Sequence, residues 1–269
     1  MVMDLGLADK VALVTGSYRG TGAEIAKALA AEGTRVLVHG FVEGESDAVV
    51  AEIRDAGGDA DPVSGDILTD EGAAAVARQA DEPTDGVDVL VNNYGAAERG
   101  RWEDRESDDW LKIYDRNVVS AVRMIRHFVE PMKARGWGRI IQLGTVGSTR
   151  PNARMPHYYA SKGALATLTV SLAKELAGNA ITVNTVSPGL TRTAEVEAHY
   201  RQMAKRKGWG EDWAEIEAGL MAEVMWNPLG RIARVEEVAD LVVFLASTRA
   251  GFINGQNIRV DGGAVDIVS

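Results

Sequence analysis

The chain of 269 residues contains no cysteine. That excludes disulfides, thiolate nucleophiles, cysteine-ligated iron–sulfur clusters and cysteine zinc sites. Histidine is scarce as well: His39, His127, His157 and His199 are scattered without ligand spacing, so no metal site is expected. Positive charge is in deficit, 29 Lys and Arg against 39 Asp and Glu, for a formal net charge of −10. This argues against nucleic acid as a partner, because phosphate binding needs a basic surface. No stretch approaches the ~18 uninterrupted apolar residues of a membrane span. The segment 1–10 carries Asp4 and Asp9, whereas a secretory signal needs a basic start and a longer apolar run. A cytoplasmic location fits these absences, with neither membrane nor nucleic acid as partner.

What is present is ordinary for a globular protein: 46% hydrophobic and 25% charged residues, enough for a sizeable core. Short apolar runs at 11–15, 35–39, 87–92, 139–144, 181–187 and 256–260 read as strands, with a weaker candidate at 60–64. Most are continuous rather than alternating, as expected for a parallel sheet covered on both faces. Helical patterns at 22–32, 45–56, 70–80, 110–135, 158–176 and 235–246 lie between them. Strand–helix alternation of this kind indicates an α/β fold with a doubly wound parallel sheet. Without repeats, low-complexity tracts or linkers, 1–269 reads as one domain. The segment 191–226 breaks the rhythm, being charged and helix-prone with Trp209, Trp213 and Trp226. It fits either a surface helical pair or a lid over a substrate.

Two local patterns carry chemistry. The first, Thr15-Gly16-Ser17-Tyr18-Arg19-Gly20-Thr21-Gly22, follows the first strand and opens the first helix. Glycines there permit a tight turn and let backbone amides approach a pyrophosphate at the helix N-terminus. The second strand ends at His39-Gly40, where a free ribose 2′-hydroxyl usually meets an Asp or Glu; the next carboxylate is Glu43. Arg19 could pair with a 2′-phosphate. Together these favour NADP over NAD; the competing reading leaves Arg19 solvated and has Glu43 or Glu45 reach the ribose. The second pattern is Tyr158-x-x-x-Lys162. Four residues put both side chains on one helix face. A phenol beside an ammonium is a proton donor usable near neutral pH, although an isolated pair of this spacing also fits a plain surface.

With these in hand, the chain resembles the short-chain dehydrogenase/reductase family almost end to end, which implies a single Rossmann-fold domain. Asp66-Ile67 after the third strand is similar to the family's adenine-contacting segment, and Asn92-Asn93-Tyr94-Gly95 to its N-N-A-G element. Asn117 falls where the family keeps an active-site Asn. Pro188-Gly189 follows the sixth strand, and Thr191 and Thr193 match positions that contact the nicotinamide carboxamide. Pro228 to Arg231 and Asp261-Gly262-Gly263 complete the C-terminal pattern.

Two departures stand out. The family's active-site serine, thirteen residues before the tyrosine, is Thr145 here, with Ser148 as a less favoured substitute. Threonine keeps the hydroxyl but is stiffer at χ1. Tyr94 replaces a small alanine; it is expected either to narrow the pocket and reach substrate or to be purely structural. The resemblance implies hydride transfer at the nicotinamide to or from a carbonyl or carbinol carbon. Tyr158 would be general acid/base, and Lys162 would lower its pKa and bind the ribose. Thr145 would orient the substrate oxygen, and Asn117 would hold a water linking Lys162 to solvent. The expected activity is that of an NADP-dependent oxidoreductase on a ketone or secondary alcohol; an NAD-dependent dehydrogenase is the alternative. A dinucleotide-sensing protein without chemistry need not keep all four residues. Gly178-Asn179-Ala180 before Ile181 lacks the Arg found in relatives that act on acyl-carrier thioesters, which argues against a carrier-bound substrate, although Arg135, Arg139 or Lys205-Arg206-Lys207 could form a docking patch. A medium-sized hydrophobic ketone or secondary alcohol is expected, with Trp102, Trp209, Trp213 and Trp226 as candidate lining. Small residues along the Tyr158 helix, and the way relatives pair, imply a homotetramer.

Overall fold

The computed structural model describes residues 4–82, 84 and 86–267. Six strands come first in register: β1 (Val11–Val14), β2 (Arg35–Gly40), β3 (Ala60–Ser64), β4 (Val89–Asn92), β5 (Gly138–Leu143) and β6 (Ile181–Pro188). With the late strand β9 (Asn257–Val260) they form a parallel sheet of order β3-β2-β1-β4-β5-β6-β9. A two-stranded ribbon, β7 (Thr191–Arg192) and β8 (Ala233–Arg234), lies apart from it. Strand order reverses between β1 and β4, which opens a crevice at the carboxyl ends of the strands, where ligands bind in such sheets. β3 carries Pro62 and gave the weakest strand signal. It lies at the sheet edge, where a residue without an N–H is tolerated.

Successive side chains along each strand enter two different cores. Val14, Val38, Val91 and Ile141 pack against α1 (Gly20–Ala31) and α9 (Val235–Ala246). Leu13, Leu37, Leu90 and Ile140 pack on the opposite face, against α3 (Asp70–Asp81) and α5 (Ser120–Arg135). α2 (Asp47–Asp55) closes the flank beside α1. Covering both faces explains why the strands are continuously apolar rather than alternating.

Where the periodicity predicted one helix over 110–135, the structure has three pieces: α4 (Ser107–Tyr114), a π-helical turn Asp115–Val119, and α5. The wider turn carries Asn117, which is buried, and such turns cluster at functional sites. α6 (Pro156–Glu175) presents His157, Ser161, Leu165 and Thr169 as one buried stripe at four-residue spacing. The Thr169 hydroxyl meets that of Thr185 on β6 at 2.7 Å. Residues 191–226 hold β7, α7 (Ala194–Lys207) and α8 (Trp213–Glu223), which share a small core of Tyr200, Ala204, Ile216, Leu220 and Met221. Among the described residues no helix is long and apolar enough to cross a membrane.

Phe128, 1% exposed, anchors the α5 side of the sheet. Phe128→Ala is expected to cost about 3–5 kcal/mol, read as a lower urea midpoint with an unchanged slope; a loss below about 1 kcal/mol would contradict that packing.

Candidate active site

The glycine loop is held from beneath by one imidazole. Gly16 N–H donates to Nδ1 of His39 at 2.9 Å, so Nε2 carries the ring proton and donates to Gly65 O at 2.9 Å. Burial lowers the His39 pKa, keeping the ring neutral. His39 was expected to touch the cofactor. It is instead fully buried with both nitrogens engaged, a tie between the loop, β2 and the turn after β3. Gly16 takes φ +61°, a left-handed conformation natural to glycine. A Cβ on Gly22 would lie 2.4 Å from Asn93 Nδ2 and 2.7 Å from Gly16 O. The backbone of α1 therefore approaches loop and β4 as closely as a pyrophosphate cradle requires, and no acidic residue sits in its first turn to oppose phosphate. These residues fit a dinucleotide.

At the far end of β2 the expected absence of a carboxylate is corrected. Glu45 folds back so that its Oε2 accepts from Phe41 N at 2.6 Å, and a Cβ on Gly40 would lie 2.9 Å from its Cβ. Arg19, expected to meet a phosphate, pairs with Glu195 of α7 at 3.2 Å and lies over the Tyr18 ring at 5.2 Å. Asn93 donates to Thr15 O at 2.9 Å and Gly16 O at 3.2 Å, tying β4 to the loop. Asp66 accepts from Leu68 N, and Ile67 is buried in the apolar core.

The residues predicted to react gather where β4, β5 and α6 converge, in a cleft lined by Thr21, Gly95, Leu143, Tyr158, Lys162 and Pro188. The Thr145 hydroxyl lies beside that of Tyr158 and lowers its pKa. Thr145 Oγ1 also accepts from Gly147 N, which fixes it at the mouth of the turn after β5. Lys162 donates its Nζ proton to Leu143 O at 2.7 Å. Asn117 donates to Ala96 O and to Ser161 Oγ, each at 3.0 Å, and accepts from Ala96 N at 2.8 Å. A Cβ on Gly95 would collide with Lys162 Nζ and Asn117 Oδ1, at 2.7 and 2.8 Å, so glycine is required there.

Burial pushes the Tyr158 phenol up to about 12, against the opposing effect of the Thr145 hydroxyl. Burial also lowers the Lys162 ammonium to about 8. The expectation that Lys162 depresses the Tyr158 pKa is not met in this state, because the ammonium is turned to Leu143 O and desolvation governs the phenol. Tyr158 is held as a protonated donor. Asn117 has both amide hydrogens on protein acceptors and clamps the 95–97 loop to α6.

The remaining predicted residues have local partners. Ser148 Oγ donates to Thr145 O at 2.7 Å, within its own turn. Tyr94 packs on Phe41, ring centroids 4.7 Å apart, on the β2 side rather than over Tyr158. Thr191 Oγ1 donates to Gly189 O, and Thr193 Oγ1 caps α7 by accepting from Val196 N. Trp209 and Trp213 pack against the α7–α8 core, with Arg192 over Trp213 at 4.2 Å, while Trp102 and Trp226 are exposed. The tryptophans therefore do not form a common pocket wall. Ser161, one place before the lysine, was missed: it accepts from Asn117 and donates to Tyr158 O at 2.8 Å.

A glycine-rich strand-to-helix turn, a strand-order switch point and a Tyr–Lys–Thr–Asn cluster above it define a nicotinamide-dependent oxidoreductase of Rossmann type. The family model described as enoyl-(acyl carrier protein) reductase matches residues 16–265. The short-chain reductase protein NovJ of Streptomyces niveus is 36% identical, covering 95% of this chain and 94% of its own. The 3-alpha-(or 20-beta)-hydroxysteroid dehydrogenase of Mycobacterium tuberculosis is 34% identical over 96% and 90%. The L-sorbose reductase of Gluconobacter frateurii, solved with NADPH and L-sorbose, superposes with a TM-score of 0.92 at 31% identity, covering 99% of this chain and 100% of its own. The chain belongs to the short-chain dehydrogenase/reductase family and is an enzyme.

Lys162→Met tests the burial of the ammonium. A fall from 10.5 to about 8 means that protonation costs the folded state roughly 3 kcal/mol. That cost is full while folded and unfolded lysine are both charged, below about 8, and fades as pH rises towards 10.5. Leaving Leu143 O without its donor offsets part of the gain in the variant. Thermal unfolding should therefore show wild type gaining stability relative to Lys162→Met across that interval; a pH-independent difference would contradict the shifted pKa.

Proposed function

We propose that the protein transfers a hydride between NADP(H) and a ketone or secondary alcohol, with Asn117, Thr145, Tyr158 and Lys162 as its site. The carrying observation is the cleft in which Tyr158 and the buried Lys162 face one another beside the glycine loop. A bound nicotinamide supplies or accepts the hydride. Tyr158 gives its proton to the substrate oxygen in reduction and takes it in oxidation. Thr145 positions that oxygen with the same hydroxyl that now lies beside Tyr158. Lys162 has two further N–H donors beyond its bond to Leu143 O, suited to a ribose. An ammonium lowered to about 8 can also hand on a proton near neutral pH. Asn117 and Ser161 keep loop and helix in place around these steps.

NADP is supported by Arg19 and Tyr18 in the loop and by the NADPH in the L-sorbose reductase structure. The Glu45 carboxylate at the end of β2 favours the second reading, an NAD-dependent dehydrogenase. The helical segment 191–226 is proposed as the substrate-side lid, since Glu195 reaches the glycine loop and His199 reaches Arg99. Exposed Leu111 and Val119 on the α4–α5 helix, with Val170 on α6, support pairing of these helices into a homotetramer. A cytoplasmic location accords with the acidic chain.

Absorbance assays with each cofactor over a carbonyl panel test the activity. NADPH should be used in preference to NADH, and Tyr158→Phe should lower kcat by about 100-fold or more. Undiminished turnover in Tyr158→Phe would remove the acid/base assignment. Light scattering should give four times the protomer mass; a monomer at micromolar concentration would remove the assembly.

A further inference from the structure

Three segments come together around Tyr159, the neighbour of Tyr158 on α6: the loop after β4, the loop after β5 and α7. The two loops are joined by Gly100 N–H donating to Arg154 O at 2.8 Å. Tyr159 adjoins Tyr158, ring centroids 5.4 Å apart, and its hydroxyl accepts from Asn152 Nδ2 at 2.9 Å. From α7, Tyr200 packs edge-on against His199 at 5.1 Å. Arg99 reaches across from the first loop, its Nη2 lying 3.0 Å from His199 Nε2. An arginine donates and cannot accept, so this His199 nitrogen is the unprotonated one and the ring is neutral.

Arg99 meets a neutral imidazole rather than a carboxylate. Among the described residues it makes no ion pair, in a chain with a net charge of −10. The nearby carboxylates are already engaged: Glu98 with Arg105 and Arg116, Glu195 with Arg19, and Glu197 with Arg192 and Arg201. One of its five N–H donors meets His199. Arg99 is also the cation whose charge bears on both Tyr159 and Tyr200. A planar donor fork without a carboxylate partner, with an imidazole beside it and near the tyrosine next to Tyr158, is suited to two carboxylate oxygens.

We propose that Arg99, with His199 and Tyr159 beside it, binds a carboxylate on the substrate, so that the enzyme prefers keto acids and hydroxy acids to neutral carbonyl compounds. This rests on the hydride-transfer reading of the Tyr158 site and replaces the expectation of a hydrophobic substrate. The carbonyl or carbinol carbon lies at Tyr158 and Thr145, and the carboxylate lies outward, past Tyr159. Arg99 acts in binding and takes no part in the proton transfer.

The test uses straight-chain keto acids of increasing length, beginning with levulinate, each compared with its methyl ester. Turnover is measured with NADPH and with NADH. Binding is measured separately by titration calorimetry on protein loaded with oxidised cofactor, where a ketone cannot be reduced. The acid should exceed its ester in kcat/KM by about tenfold or more for at least one length. Arg99→Met should remove that preference through KM, with a larger loss for acid than for ester, and abolish the calorimetric signal. Arg99→Lys should restore part of it, lacking the fork. Acids and esters used equally well, or acid binding undiminished in Arg99→Met, would overturn the proposal. Esters turned over while acids neither bind nor react would also overturn it, leaving the hydride reading intact. Arg99-dependent acid binding without any turnover would support the carboxylate site and count against the hydride reading instead. Absence of both binding and turnover would overturn it.

Discussion

The active site is organised around an ammonium that has been taken out of water. Lys162 is 5% exposed, and its recorded partner is a single backbone carbonyl at the end of β5. A buried cation with one neutral acceptor is under-solvated, which is what lowers its pKa. Each close approach around it follows from the need to keep that charge in one place. Gly95 is bare so that the 95–97 loop can pass over the ammonium, and β5 stops at Leu143 so that the last carbonyl faces it. The same desolvation raises the phenol next to it and keeps Tyr158 protonated. An electron-rich ribose and a substrate oxygen are the natural complements of such a site, since both accept hydrogen bonds from groups that lack acceptors.

Two further ties hold this arrangement at its ends. Asn117 closes a cyclic pair with both backbone groups of Ala96 and reaches α6 through Ser161, so a single amide sets the distance between β4, the π-turn and the catalytic helix. His39 does the equivalent work under the glycine loop with a neutral ring. Both are polar side chains in a core, and both have their donors satisfied, the condition under which buried polar groups specify a structure rather than weaken it. Replacing either with an apolar residue would leave backbone amides without partners at the point where cofactor and substrate meet.

Much of this was legible in the sequence because it depends on local spacing. The seven parallel strands follow from continuous β-branched runs, the glycine loop from its place between strand and helix, and the Tyr158–Lys162 face from one helical turn. What escaped depends on contacts between distant segments. Glu45 reaches the β2 end by folding back over four residues, which settles between Glu43 and Glu45, a choice that counting along the strand leaves open. His39 reads as a polar residue at a strand end until the Gly16 and Gly65 backbones are brought to its two nitrogens. Tyr94 takes its place from Phe41, fifty-three residues earlier. The π-turn is invisible to a 3.6-residue period, since one extra residue per turn leaves the apolar pattern nearly intact while rotating Asn117 inward. Arg99 carries no motif at all; its meaning comes from the carboxylates around it having other partners.

The two ends of the cleft use charge in opposite ways, and magnitudes separate them. Arg19 and Glu195 are both more than half exposed, at 64% and 54%, and such a pair contributes about 0–1 kcal/mol. On the proposed NADP reading a phosphate takes the same guanidinium in a bidentate contact, at the small cost of a pair this exposed. Glu195 sits in the first turn of α7, and its release there leaves a carboxylate already favoured by the helix N-terminus. At the other end, Arg99 has only a neutral imidazole to give up. The anion bound at Arg19 therefore displaces a weak ion pair, whereas one bound at Arg99 displaces none. An acidic protein can thus hold anionic ligands at both ends of one cleft without an overall basic surface, because what matters is which cations its own carboxylates leave lightly held.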